Sequence, residues 1–127
     1  MSVFTHITVG TNDVVLARLF YDAVLEPLGL VRLGDLEGRA SFWGIEKPAL
    51  FVTRPRDGGT ATAANGGTIG LSAPSHAAVD SFHEAALANG GRCEGPPGPR
   101  AFSAGLYAAY IRDPDGNKLC AYCYPPG

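Results

Sequence analysis

The apolar positions of this chain change period from two to about four and back again, and they do so twice. From Phe4 to Gly10 they alternate, with Ile7 and Val9 on one face and Phe4, His6 and Thr8 on the other, which predicts a strand. Asn12 and Asp13 supply a cap. Leu16, Leu19, Phe20, Ala23 and Val24 then recur at spacings of three and four, predicting a helix that ends near Pro27 and Gly29. Three short strands are expected next, at 30–33, 39–45 and 49–53. After an aperiodic segment at 54–66 the order restarts. A strand at 67–73 carries Ile69 and Leu71 on one face and Thr68, Gly70 and Ser72 on the other. Ser75 caps a helix with the stripe Ala78, Val79, Phe82, Ala86 and Leu87, and Gly90-Gly91 ends it. An extended piece around 92–94 precedes the closing hairpin, whose strands L-Y-A-A-Y-I-R and K-L-C-A-Y-C-Y flank the turn D-P-D-G-N.

An offset of 62 superposes the two halves: His6 on Thr68, Asp13 on Ser75, Phe20 on Phe82, Gly29 on Gly91. The expected fold is α+β, with two βαβββ modules forming a curved mixed sheet around a cleft. Module 1 spans about 1–54, a linker about 55–66, and module 2 about 67–127. Each module keeps one apolar strand face for a helix. The second face is polar or small, carrying His6 and Thr8, Thr68 and Ser72, or Cys120 and Tyr122. A pocket walled by such faces is a small-molecule site. Trp43, Phe51, Phe102, Tyr107, Tyr110 and Tyr122 are its candidate aromatic walls. Arg100, after the loop G-P-P-G-P, is a candidate anchor for an anionic ligand.

Composition narrows the alternatives. At 127 residues, 46% hydrophobic and net charge −2, the chain is one domain with a core of its own and no electrostatic footprint for nucleic acid or an anionic membrane. No apolar run is long enough to span a bilayer, no signal pattern opens the sequence, and three cysteines make no disulfide framework, so a cytoplasmic location is expected. Cys120 and Cys123 form a C-x-x-C on a strand, where residues three apart face opposite sides and cannot readily share an ion. Asp113 and Asp115 lack the ligand spacing of a calcium loop and read as turn residues. His76 and His83 read as surface or boundary positions.

The stretches T-H-I-T-V-G-T-N-D, R-L-F-Y-D-A-V-L-E-P-L-G-L and D-P-D-G-N-K-L, together with the duplication, resemble the vicinal oxygen chelate superfamily. That family contains glyoxalase I, extradiol dioxygenases, and fosfomycin- and bleomycin-resistance proteins. The resemblance implies a divalent metal (Ni, Fe, Mn or Zn) held by His, His and Glu on cleft strands. Carried onto this chain, those positions are His6, Thr68 and Cys120, of which only His6 has the expected ligand type. The expectation is therefore a small-molecule-binding protein of glyoxalase or bleomycin-resistance type with a degraded metal triad. The alternative is a metal-dependent lyase or dioxygenase. Ligand-binding candidates are His6, Thr68, Cys120, Trp43, Tyr107, Tyr122 and Arg100. Members commonly dimerise, and a homodimer is expected here.

Overall fold

The protein is represented by a computed structural model that describes residues 2–124. Module 1 comprises β1 (Ile7–Gly10), α1 (Val14–Leu25), β2 (Val31–Leu36), β3 (Ala40–Gly44) and β4 (Pro48–Thr53). Module 2 comprises β5 (Ile69–Ser72), α2 (His76–Ala88), β6 (Arg92–Pro99), β7 (Tyr107–Arg112) and β8 (Lys118–Cys123). The curved sheet is built as two four-stranded sheets, ordered β1-β4-β3-β2 and β5-β8-β7-β6. In each, the first strand runs parallel to the last strand of its module while the other pairs are antiparallel. The βαβββ order is thus present twice, with the same pairing.

The duplication extends to the caps. Asp13 accepts from the Leu16 amide at 3.0 Å, and Ser75, 62 positions on, accepts from the Ala78 amide at 3.1 Å. Each cap satisfies one of the amides a helix start leaves without an intrahelical partner. Phe20 and Phe82, the matching core positions, are both fully buried. The glycine alignment is displaced by one residue. Gly29 takes a left-handed φ of 85°, but its counterpart in that role is Gly90 at 93°. Gly91 instead lies so close to neighbouring atoms that a Cβ would come within 2.6 Å of the Arg112 carbonyl oxygen and 2.7 Å of the Phe20 ring.

One apolar core serves both modules. It contains Phe20, Tyr21, Val24 and Leu25 of α1, Val79, Phe82 and Ala86 of α2, and the inward residues of both sheets, including Trp43, Leu50, Ile111, Leu119 and Ala121. Burial on α1 falls on Val14, Ala17, Phe20, Tyr21, Val24 and Leu25, so Phe20 and Val24 of the expected stripe face the core and the rest of it does not. Leu16 and Leu19 are exposed, Leu19 by 60%. This helix is apolar almost all round, so its periodicity does not select a face.

The segment 54–66 carries neither helix nor strand, yet it is tied down. Asn12 and Ala61 exchange two hydrogen bonds, Asn12 Nδ2 to the Ala61 carbonyl (3.1 Å) and the Ala61 amide to Asn12 Oδ1 (2.7 Å). The stretch G-P-P-G-P, expected as a loop, belongs to β6. That strand sits at the edge of its sheet and breaks register twice, which is where proline without an N–H is tolerated.

The two most distinctive stretches of sequence clasp each other. Asp113 Oδ1 accepts the amides of Asp115 (2.9 Å) and Asn117 (2.8 Å), closing the D-P-D-G-N turn, and Gly116 takes φ 91° within it. Asp113 Oδ2 accepts from the Tyr21 hydroxyl of α1 (2.5 Å) and from Asn117 Nδ2 (2.9 Å). Asp115 accepts from the Thr11 hydroxyl (2.6 Å) and the Asn12 amide (2.9 Å), and Asn117 Nδ2 donates to the Gly10 carbonyl (2.9 Å). The turn of module 2 is thereby fastened to the β1–α1 junction of module 1.

Candidate functional site

Strand register determines which side chains share a face. Leu119 and Ala121 of β8 turn inward to the helices, so Lys118, Cys120 and Tyr122 turn outward. Cross-strand pairing adds Tyr110 and Ala108 of β7, and Gly70 and Ser72 of β5, to that outward face. The hydroxyls of Tyr110 and Tyr122 are hydrogen-bonded to each other. The Arg100 guanidinium lies 5.5 Å from the centre of the Tyr110 ring, and the Lys118 ammonium 5.3 Å. Two cations therefore attend one electron-rich ring. Arg100 is held in place by donating to the carbonyls of Pro96 (2.8 Å), Gly98 (2.9 Å) and Pro99 (3.3 Å). Phe102 and Tyr124 extend the aromatic surface to either side of Tyr122, at ring separations of 6.5 and 6.1 Å.

Cys120 lies beneath this surface, 2% exposed, with its thiol 3.7 Å from the Ile69 carbonyl. Burial pushes its pKa up to about 11, against the smaller opposing effects of Tyr122 and Lys118. It is a protonated thiol at neutral pH. The hydrogen bond to Tyr110, followed by burial, raises the Tyr122 phenol well above its ordinary value.

His6 immediately precedes β1 and is exposed. Its ring lies 4.8 Å from that of Phe51, and its Nδ1 is 3.0 Å from the Thr5 hydroxyl. It lines a depression with Phe4, Lys47, Pro48 and Phe51. Thr68, immediately before β5, lines a different groove, with Thr8, Asn117 and Lys118. Cys120 lines neither. His6 and Thr68 thus line different depressions, and among the described residues no group of three His, Cys, Asp or Glu side chains is placed to hold a metal ion. The donors at the three matched positions do not suit a divalent cation either. A neutral hydroxyl and a protonated, buried thiol are poor partners for one exposed imidazole.

Two aromatic candidates face the other way. Trp43 is fully buried in the core, its indole N–H donating to Asp22 of α1 at 2.9 Å. Tyr107 pairs with Cys123 on the inward side of sheet 2, stacks on His76 of α2 at 4.1 Å, and donates to Asp80 at 2.6 Å. The single-residue alternation along β3 and β7 removes both from the outward face. It adds Lys118, whose place follows from the same alternation that exposes Tyr122.

The sequence model of the Glyoxalase/Bleomycin resistance protein/Dioxygenase superfamily matches residues 3–121. Among solved structures, a glyoxalase/bleomycin resistance protein from Albidiferax ferrireducens T118 is 44% identical, with a TM-score of 0.88 over 98% of this chain and 100% of that one. The lactoylglutathione lyase of Agrobacterium tumefaciens (23% identity, TM-score 0.67, covering 97% and 94%) shares the fold. So does the fosfomycin resistance protein FosX of Listeria monocytogenes (17%, 0.71, covering 99% and 96%). A comparison with curated proteins gives no match. Two tandem βαβββ modules and a profile match over nearly the whole length give one conclusion: this chain belongs to the glyoxalase/bleomycin resistance protein/dioxygenase superfamily.

Proposed function

We propose that this protein binds a small, anionic, partly aromatic molecule on the outward face of sheet 2, without a divalent metal. The observation that carries this reading is the placement of Arg100 and Lys118 about the Tyr110 ring, beside the paired Tyr110 and Tyr122 hydroxyls. The cations supply charge attraction, the phenols supply directional hydrogen bonds, and Phe102 and Tyr124 supply stacking area. His6 and Phe51 belong to the outward face of the other sheet. In this reading a second copy of the chain brings that face opposite the tyrosines, so the working unit is a homodimer. Its interface should bury at least roughly 1,000 Å².

The test is a fluorescence or calorimetric titration with a panel of aromatic carboxylates and their neutral amides. The carboxylates should bind more tightly, and Lys118→Met and Tyr122→Phe should each weaken them about tenfold. Equal binding of acids and amides would refute the anionic assignment. The metal-dependent lyase or dioxygenase reading makes the opposite prediction for protein purified without chelators: one equivalent of Ni, Fe, Mn or Zn, lost in His6→Ala. Light scattering that reports a monomer at high micromolar concentration would remove the dimeric cleft.

A further inference from the structure

Three arginines line a small polar pocket where β1 and β4 of sheet 1 end, apart from the tyrosine face. The pocket is an open one of about 140 Å³, lined by Thr11, Asn12, the exposed Arg39, Arg54 and Arg56, and the turn at Gly58-Gly59. Among the described residues the ion pairs involve Arg18, Arg32 and Arg112, and none involves Arg39, Arg54 or Arg56. The nearby carboxylates accept from groups at the pocket's rim or at the helix cap and, among the described residues, form no ion pair with these arginines. Asp57 accepts from the Gly59 amide (2.8 Å), Asp13 caps α1, and Asp115 is held by Thr11 and Asn12.

The pocket is built by backbone rather than by chance neighbours on a surface. The Arg54 amide donates to the Arg39 carbonyl (2.8 Å), and the Arg39 amide to that of Leu36 (3.0 Å), fixing the two arginines to each other and to the β2–β3 turn. Arg54 Nε donates to the Gly38 carbonyl (3.1 Å), which orients the guanidinium, and among the described residues its terminal nitrogens have no protein partner. The 55–58 turn closes through the Gly58 amide to the Pro55 carbonyl (3.1 Å), with Gly58 at φ 77°. The Asn12–Ala61 pair anchors the far end of the segment. Three guanidinium groups lining one pocket offer a polyanion with several acceptor oxygens planar forks that match it.

We propose that this pocket binds a phosphate group, as the free dianion or as a small phosphate monoester. A carboxylate offers one charge and two oxygens, whereas a phosphate dianion has enough acceptors to engage three guanidinium groups at once. The site is distinct from the sheet-2 face in residues and in module, so it is either a second recognition point for the same ligand molecule or an independent anion site.

The experiment is an NMR titration of the 15N-labelled full chain with inorganic phosphate at constant low ionic strength, repeated with phenyl phosphate and with sodium chloride. Saturable shifts are expected at the Gly58, Gly59, Arg39 and Arg54 amides with phosphate and not with chloride. Arg39→Gln and Arg56→Gln remove exposed side chains that bond to no other group among the described residues, so folding should be retained. Each should weaken phosphate binding about tenfold. Tighter binding of phenyl phosphate assigns a monoester; equal or weaker binding assigns the free anion. Absence of saturation with both phosphates, equal shifts with chloride, or unchanged affinity in both variants would overturn the proposal.

Discussion

Asp113 shows how a single residue can sit at the join of two modules. Its carboxyl is almost wholly buried, and burial raises its pKa, although the Tyr21 and Asn117 donors pull the other way. A carboxyl whose folded pKa exceeds its unfolded one binds more protons when folded. Its ionisation therefore lowers stability as pH rises from about 3.8 through the folded value, and the loss is constant above that window. Tyr21→Phe deletes one donor and widens the window upward. Urea melts should show a destabilisation of about 1–3 kcal/mol at pH 7 that becomes smaller below pH 4, where the carboxyl is protonated. A pH-independent difference would mean that the tyrosine acts through packing alone.

The cysteines make a second prediction at this scale. Cys93 is exposed, while Cys120 and Cys123 are buried, and the Cys120 thiol stays protonated up to about pH 11. The thiolate is the reactive form. Native protein treated with a disulfide reagent at pH 8 should therefore label rapidly at one of its three thiols, and at the other two only on unfolding. Fast labelling of Cys120 would show that the tyrosine face opens readily.

At the scale of elements, the order of strands and helices was legible because each period is short and local. The alternation in β1, β5 and β8 was clear, and capping side chains sit where both helices begin. Three features were not legible, for physical reasons. The buried face of α1 could not be chosen because apolar residues surround it. The G-P-P-G-P half of β6 looked like a loop, although its start at 92–94 was expected to be extended, because edge pairing tolerates missing donors and nothing local marks an edge. Trp43 and Tyr107 looked like pocket walls because an aromatic residue suits either face of a strand. Only register against α1 and α2 assigns them to the core side.

The end of α2 carries a further element-scale prediction. Gly90 supplies the left-handed turn, whereas Gly91 supplies closeness, bringing the chain against Phe20 of the other module's helix. A methyl at 91 would meet backbone oxygens of Arg112 and Ala86 as well as that ring, and neither backbone oxygen can yield cheaply. Gly91→Ala should cost about 1–3 kcal/mol in a denaturant melt, as overpacking typically does. Gly38→Ala meets nothing within 4 Å and strains only its φ of 63°, so it should cost less, about 1–2 kcal/mol. The reverse ranking would show that the closeness at 91 is relieved by local movement.

At the scale of the whole molecule, the two modules share a core and turn their polar and aromatic faces away from it. The positions matched to a triad by sequence are divided between these faces. His6 lies on the face of sheet 1, while Thr68 and Cys120 lie along that of sheet 2, where Thr68 precedes by two residues the Gly70 that pairs with Cys120. Positions two residues apart in register on adjacent strands are within reach of longer side chains directed at one ion. The double change Thr68→His with Cys120→Glu should therefore create a weak two-ligand site in each chain, where the wild-type donors are a hydroxyl and a protonated thiol. If a second copy brings its His6 opposite, as the proposed dimer requires, the site gains a third ligand and Zn or Ni affinity should rise with protein concentration. Adding His6→Ala to the double variant should abolish the gain. Mixing that triple variant with wild-type chains, which contribute His6 alone, should restore it in the mixed dimer. Calorimetry across a dilution series reads all of these. Tight binding by the double variant that is independent of both concentration and His6 would show that each chain completes its site alone, and that the facing copy plays no part in it.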